Sequence, residues 1–88
     1  MALVFIPSQM QPLTKGQARV EVEGTNVKQI IENLDSLHPG FVDRVLDEGN
    51  IKPSISIAVD GDIITMGLIE KVSPNSEVHF LPAISGGN

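Results

Sequence analysis

The residues able to do acid–base chemistry in this 88-residue chain are few, and their spacing does not gather them. His38 falls in a His-Pro-Gly stretch of the kind that ends a helix. His79 alternates with Val78 and Phe80 on an extended segment. A general base needs a partner within hydrogen-bond reach, and the order of the chain suggests no His/Ser/Asp arrangement. Both histidines therefore read as polar surface residues. Asp60 and Asp62 flank Gly61, but no further ligands follow at the spacing of a calcium loop, so this is a tight turn. Glu21 and Glu23 share one strand face in the manner of solvated charges. No cysteine is present, which removes thiolate nucleophiles, disulfides and zinc–cysteine sites, and favours a cytoplasmic setting. No metal, bound cofactor or catalytic residue is expected. The chain does not read as an enzyme.

One other segment has chemical potential, and it is main chain. Apolar Phe80, Leu81 and Ile84 lead into Ser85-Gly86-Gly87-Asn88. A terminal diglycine is compatible with an ordinary frayed end. It is equally compatible with a second use: a stretch without side chains can thread a narrow channel and present a carboxyl group in another enzyme's active site.

The elements that must hold this end in place are legible from hydropathy. Eighty-eight residues allow one small domain, and 41% hydrophobic residues suffice for a core. Leu3 to Ile6 is a short apolar run stopped by Pro7, and reads as a strand. The stretch 8–16 reads as a loop. Residues 17–23 alternate, with Val20 and Val22 facing inward. Thr25 is placed as an N-cap. Val27, Ile30, Ile31, Leu34 and Leu37 then recur at helical spacing and form one apolar stripe. A second helical pattern runs from Phe41 to Glu48 and is closed by Gly49 and Asn50. Strands are expected at 53–60, at 63–65 and at 77–81, with Asp60-Gly61 as a hairpin turn. The predicted class is α+β: a mixed sheet of four to five strands packed on one main helix, with a second short helix. Residues 1–82 form the domain and 83–88 a flexible tail that carries the Gly-Gly motif.

Six basic against 11 acidic residues, a net charge of −5, remove the basic footprint that nucleic acids or anionic membranes require. Three aromatic residues are too few for a stacking platform, and no apolar stretch is long enough to span a bilayer.

In order, the motifs Val4-Phe5-Ile6-Pro7, Pro12-Leu13-Thr14-Lys15-Gly16-Gln17, Gly24-Thr25-Asn26-Val27, Leu37-His38-Pro39-Gly40, Ile57-Ala58-Val59-Asp60-Gly61-Asp62-Ile63 and Val78-His79-Phe80-Leu81-Pro82-Ala83-Ile84-Ser85-Gly86-Gly87 resemble the MoaD/ThiS family of ubiquitin-like sulfur carriers. The Pro-x-Thr-x-Gly-Gln segment is most similar to the CysO-like branch, which serves cysteine biosynthesis. The resemblance implies a β-grasp roll. It implies that an E1-like enzyme uses ATP to adenylate the carboxylate of Gly87, next to Gly86. A sulfur donor then displaces AMP and leaves a thiocarboxylate, whose sulfur passes to a synthase. That synthase would resemble cysteine synthase or the molybdopterin synthase large subunit, or belong to a thiamin-type pathway. Because Asn88 follows Gly87, the resemblance further implies cleavage between the two by a JAMM-type metalloprotease. Two other uses stay open on the same residues. One is a protein modifier joined through Gly87 to a lysine amine; the other is a structural β-grasp subunit whose tail is never activated.

Strand parity is taken to put Phe5, Val78 and Phe80 inward against the helix. Ile6, Ile63 and Leu81 then fall on the opposite face of the sheet, with His79 beside Leu81. By resemblance this face, with Pro82 and Ile84 at the root of the tail, docks the partner enzymes. The acidic balance is expected to steer the chain toward a basic partner groove.

Overall fold

The computed structural model describes residues 1–82. The residues of the expected tail, Ile84, Gly86, Gly87 and Asn88 among them, lie outside the described residues.

The sheet has five strands: β1 (Ala2–Phe5), β2 (Arg19–Val22), β5 (Ile55–Val59), β6 (Asp62–Ile63) and β7 (Glu77–Pro82). They lie in the order β2-β1-β7-β5-β6. β1 runs parallel to β7, and the other neighbours are antiparallel. β7, the last strand of the described chain, is therefore the centre of the sheet, bonded along both edges. Strands β3 (Leu46–Asp47) and β4 (Asn50–Ile51) form a separate small hairpin.

Helix α1 (Val27–Leu37) covers one face of the sheet. Val27, Ile30, Ile31 and Leu34 are each at most 1% exposed, so these four residues of the predicted stripe pack, whereas the fifth, Leu37 at the end of the helix, is 58% exposed because the sheet no longer covers the last turn. Each such side chain contributes on the order of 1.5–3 kcal/mol of burial free energy. Opposite them lie Val4, Ile6, Val20, Val22, Ile57, Val78 and Phe80, and Phe41 and Val45 of the short helix α2 (Phe41–Val45) close one end. This is a β-grasp roll: a mixed sheet holding one main helix.

Further details differ from the sequence reading. Phe5 and Ile6 exchange faces: Ile6 is 4% exposed in the core, and Phe5 is half-buried on the outer face. An unbroken run Leu3-Val4-Phe5-Ile6 carries no alternation, so its parity is set only by pairing. Val4 sits opposite Val20 and Val78, both inward, and parity carries Ala2 and Ile6 inward with it.

The N-cap of α1 is Asn26 rather than Thr25. The Gln29 N–H donates to Asn26 Oδ1 at 2.8 Å, and Gln29 Oε1 in return accepts from the N–H and the hydroxyl of Thr25 at 2.8 and 2.9 Å.

The second helix ends at Val45, and the chain turns through Glu48 (φ 52°) and Gly49 (φ 81°) into the β3–β4 hairpin. Two successive left-handed residues are the turn that matches strand twist. Residues 8–14, expected as loop, form a 3₁₀ helix, and a second short one spans Gly67–Ile69.

Gly40 is fixed by its surroundings. It has φ 116°, and a Cβ there would meet Leu13 Cδ2 at 2.9 Å.

Candidate docking face and C-terminal exit

The face of the sheet away from α1 is crossed by a single row of residues. The registers Arg19–Phe5, Phe5–His79, His79–Ala58 and Ala58–Ile63 place Arg19, Phe5, His79, Ala58 and Ile63 side by side on all five strands. Phe5 and His79 stack with ring centroids 4.2 Å apart and planes within 5°. His79 Nε2 lies 3.9 Å from Glu77 Oε1 on the same strand face. Ile63 is 55% exposed at one end of the row. Leu81, 38% exposed, lies two residues beyond His79 and opposite Ser56.

Of the residues expected on this face, Ile63, His79 and Leu81 are on it and exposed Pro82 ends the strand beside it. Ile6 is not on it. Phe5, expected inward, lies on it instead, and Arg19 joins it there. The signal that could have found them is the register of β1 against β2, since Val20 and Val22 already marked that strand's inner face.

The polar groups near the turns serve the fold. Asp60 has φ 53° at the β5–β6 turn. Its carboxylate accepts from the Glu77 N–H at 2.9 Å and from the Ser76 hydroxyl at 2.8 Å. Those two hydrogen bonds, the backbone one foremost, hold its carboxyl below the usual carboxylate range. The Asp60 side chain thus pins the hairpin to the start of β7. His38 caps the end of α1, its N–H donating to the Leu34 carbonyl at 2.8 Å, and it is far in sequence and register from His79.

Where β7 ends, a cleft of about 520 Å³ opens between the first 3₁₀ helix, α2 and the segment leading into β5. Met10, Ile55, Phe80 and Pro82 supply its apolar lining, and Arg44 and Lys52 also line it. The end of β7 is thus flanked by two different surfaces, the mixed row of Arg19, Phe5, His79, Ala58 and Ile63 on one side and a cleft carrying Arg44 and Lys52 on the other, which Leu81 also lines.

A β-grasp roll whose last described strand is its central strand has the ubiquitin-like fold. A family model described as the ThiS family matches residues 4–87, nearly the entire chain, and the chain belongs to that family. The sulfur carrier protein CysO of Mycobacterium tuberculosis is 28% identical over 89 residues, covering 96% of each chain. Among solved structures, CysO in the BexX/CysO complex of Amycolatopsis orientalis superposes with a TM-score of 0.92 at 29% identity, covering 99% of this chain and 100% of that one. The M. tuberculosis CysO crystal structure superposes with a TM-score of 0.90 at 26% identity, over 96% of this chain and 100% of the other. Among the described residues, no helix is long and apolar enough to cross a membrane.

Proposed function

We propose that this chain is a sulfur carrier whose working group is the carboxyl carbon of Gly87. The observation that carries the reading is the family match, which spans Val4 to Gly87. The amide bond to Asn88 occupies that carboxyl group, so a protease, of the JAMM metalloprotease type, cuts it first. A carboxylate oxygen of Gly87 then attacks the α-phosphorus of ATP on an E1-like enzyme, and pyrophosphate leaves. A sulfur nucleophile attacks the resulting acyl adenylate, and AMP departs with its electron pair. The product is a thiocarboxylate. Adenylation divides the exchange of oxygen for sulfur into two steps, each with a competent leaving group.

The protein itself supplies position. The outer-face row around Phe5, His79 and Ile63, with Leu81 and Pro82 beside it and Ile84 in the tail, is the surface offered first to the activating enzyme and then to the sulfur acceptor. The relationship to CysO supports a cysteine synthase-like acceptor over a molybdopterin synthase-like one. ATP is bound by the partner, and the carrier is a cosubstrate acting in the cytoplasm.

The test is intact-mass spectrometry of the chain ending at Gly87, incubated with the E1-like enzyme encoded in the same genome, ATP and sulfide. The expected result is the mass gain of one oxygen replaced by sulfur, absent from the chain that retains Asn88. Stable higher-mass conjugates to lysine without any thiocarboxylate would refute the carrier reading in favour of a protein modifier. No modification of either form would favour a structural subunit.

A further inference from the structure

We infer that the cleft at the root of the tail is a second docking surface, and that its occupant is an acidic segment at the mouth of the channel through which the activating enzyme threads the tail. The inference rests on the carrier reading above, because only a partner that encloses the tail must meet both surfaces beside it.

The argument begins with charge. The chain has six basic residues against 11 acidic ones, yet two of the six, Arg44 and Lys52, line this one cleft and no carboxylate does. Among the described residues neither cation has a carboxylate within 4.0 Å; the one such contact, between His79 and Glu77, is on the outer face. Arg44 is held across the cleft wall instead, one guanidinium N–H donating to the Gln9 carbonyl at 3.4 Å. The backbone before β5 is fixed by the Lys52 N–H donating to the Val45 carbonyl at 2.8 Å. Two cations thus stand over an apolar floor of Met10, Ile55 and Phe80. An apolar floor lowers the local dielectric and strengthens attraction to a carboxylate placed there. The local sign is opposite to the net charge, so this cleft calls for an acidic partner surface while the rest of the molecule suits a basic one.

The occupant is protein and not the nucleotide. Gly87 lies five residues beyond Pro82, so a threaded tail separates its carboxyl from the strand end by up to about 18 Å. At that distance Arg44 and Lys52 stand near the mouth of the channel, and the triphosphate lies at its far end.

The experiment uses the chain ending at Gly87 and the E1-like enzyme of the same genome, with adenylation followed by ATP–pyrophosphate exchange. The paired reversal Arg44→Glu and Lys52→Glu is expected to raise KM for the carrier about tenfold or more, the scale of like charges brought together across an interface, with kcat unchanged. The wild-type KM is expected to rise with ionic strength, and that of the reversed variant to fall. Thermal unfolding of the variant confirms that it folds. A zero-length carbodiimide cross-link from Lys52 to an Asp or Glu of the enzyme is expected in the wild type. Lys52→Arg is expected to lose the cross-link and keep KM. Adenylation of the wild type with no change of KM on reversal, or cross-links only from other lysines, overturns the cleft and leaves the carrier reading intact. No adenylation of the wild type overturns both.

Discussion

Replacing Ile6 and Ile63 separately by alanine separates the core from the docking face. Ile6 is 4% exposed and belongs to the cluster built around α1; its N–H donates to the Ala18 carbonyl at 2.8 Å, which fixes its backbone. A surround tied in this way collapses little around a truncated side chain. Ile6→Ala therefore costs about 3 kcal/mol, within the range for a buried Ile→Ala change. For a domain of this size each kcal/mol lowers the melting temperature by roughly 4–8 °C, so the fall is about 12–24 °C. Ile63 is 55% exposed on the two-residue strand β6, and its truncation costs less than about 1 kcal/mol, or under roughly 8 °C. The order inverts for binding: Ile63→Ala weakens association with the activating enzyme, and Ile6→Ala, measured well below its melting temperature, does not. Differential scanning calorimetry and titration of both variants against the enzyme provide the check. An Ile6→Ala protein melting within about 3 °C of the wild type would refute the parity argued from the β1 pairings.

Further outcomes follow from the caps, the turns and the outer row. Asn26→Ala removes the acceptor for the Gln29 N–H and is expected to cost about 1 kcal/mol by urea denaturation, whereas Thr25→Ala costs less. Gly40→Ala combines a left-handed φ of 116° with a 2.9 Å approach to Leu13 Cδ2 and is expected to destabilise by more than about 1 kcal/mol in the same assay. Asp60 binds a proton less readily when folded than when unfolded, so its contribution is present above the ordinary carboxylate range and is lost as pH falls through it. Acid unfolding curves of Asp60→Asn should accordingly show a shallower dependence than the wild type below about pH 4. Phe5→Ala removes the ring stacked on His79 and is expected to raise KM in the adenylation assay by several-fold, with kcat retained.

Much of the fold could be read because its signals are local. The stripe Val27, Ile30, Ile31 and Leu34 has a helical period, and Asp60-Gly61 demands a left-handed turn; both need no knowledge of neighbours. What escaped depends on pairing across the chain. The apolar run of β1 has one neighbour 14–20 residues away and another more than 70 away, and only these decide that Val4 and Ile6 point at the helix. The turn at Glu48-Gly49 was hidden because Val45 and Leu46 continue a helical pattern into a hairpin too short to alternate. The same holds for the candidate surfaces. Ile63, His79 and Leu81 were found by strand parity, but the row that unites Phe5 with His79 exists only in the register of five strands. Arg44 and Lys52 come from different elements, and no spacing rule joins them.

The topology fixes what this chain offers a partner. β7, the last described strand, is bonded on both sides: ladders to β1 and β5 hold it along its length, and the Asp60 carboxylate pins its start. A strand held this way keeps the outer row and the cationic cleft in a fixed relation to each other and to Pro82, where it ends. A partner that grips both surfaces therefore spends little of its binding free energy on ordering the carrier, and the remainder is available to hold the reacting carbonyl carbon in line with its nucleophile. On that logic the two surfaces act before chemistry, as determinants of which enzyme receives the terminus. Their loss should appear in KM and in partner choice, while the rate of sulfur transfer from a correctly seated chain end stays with the enzyme that supplies the catalytic groups.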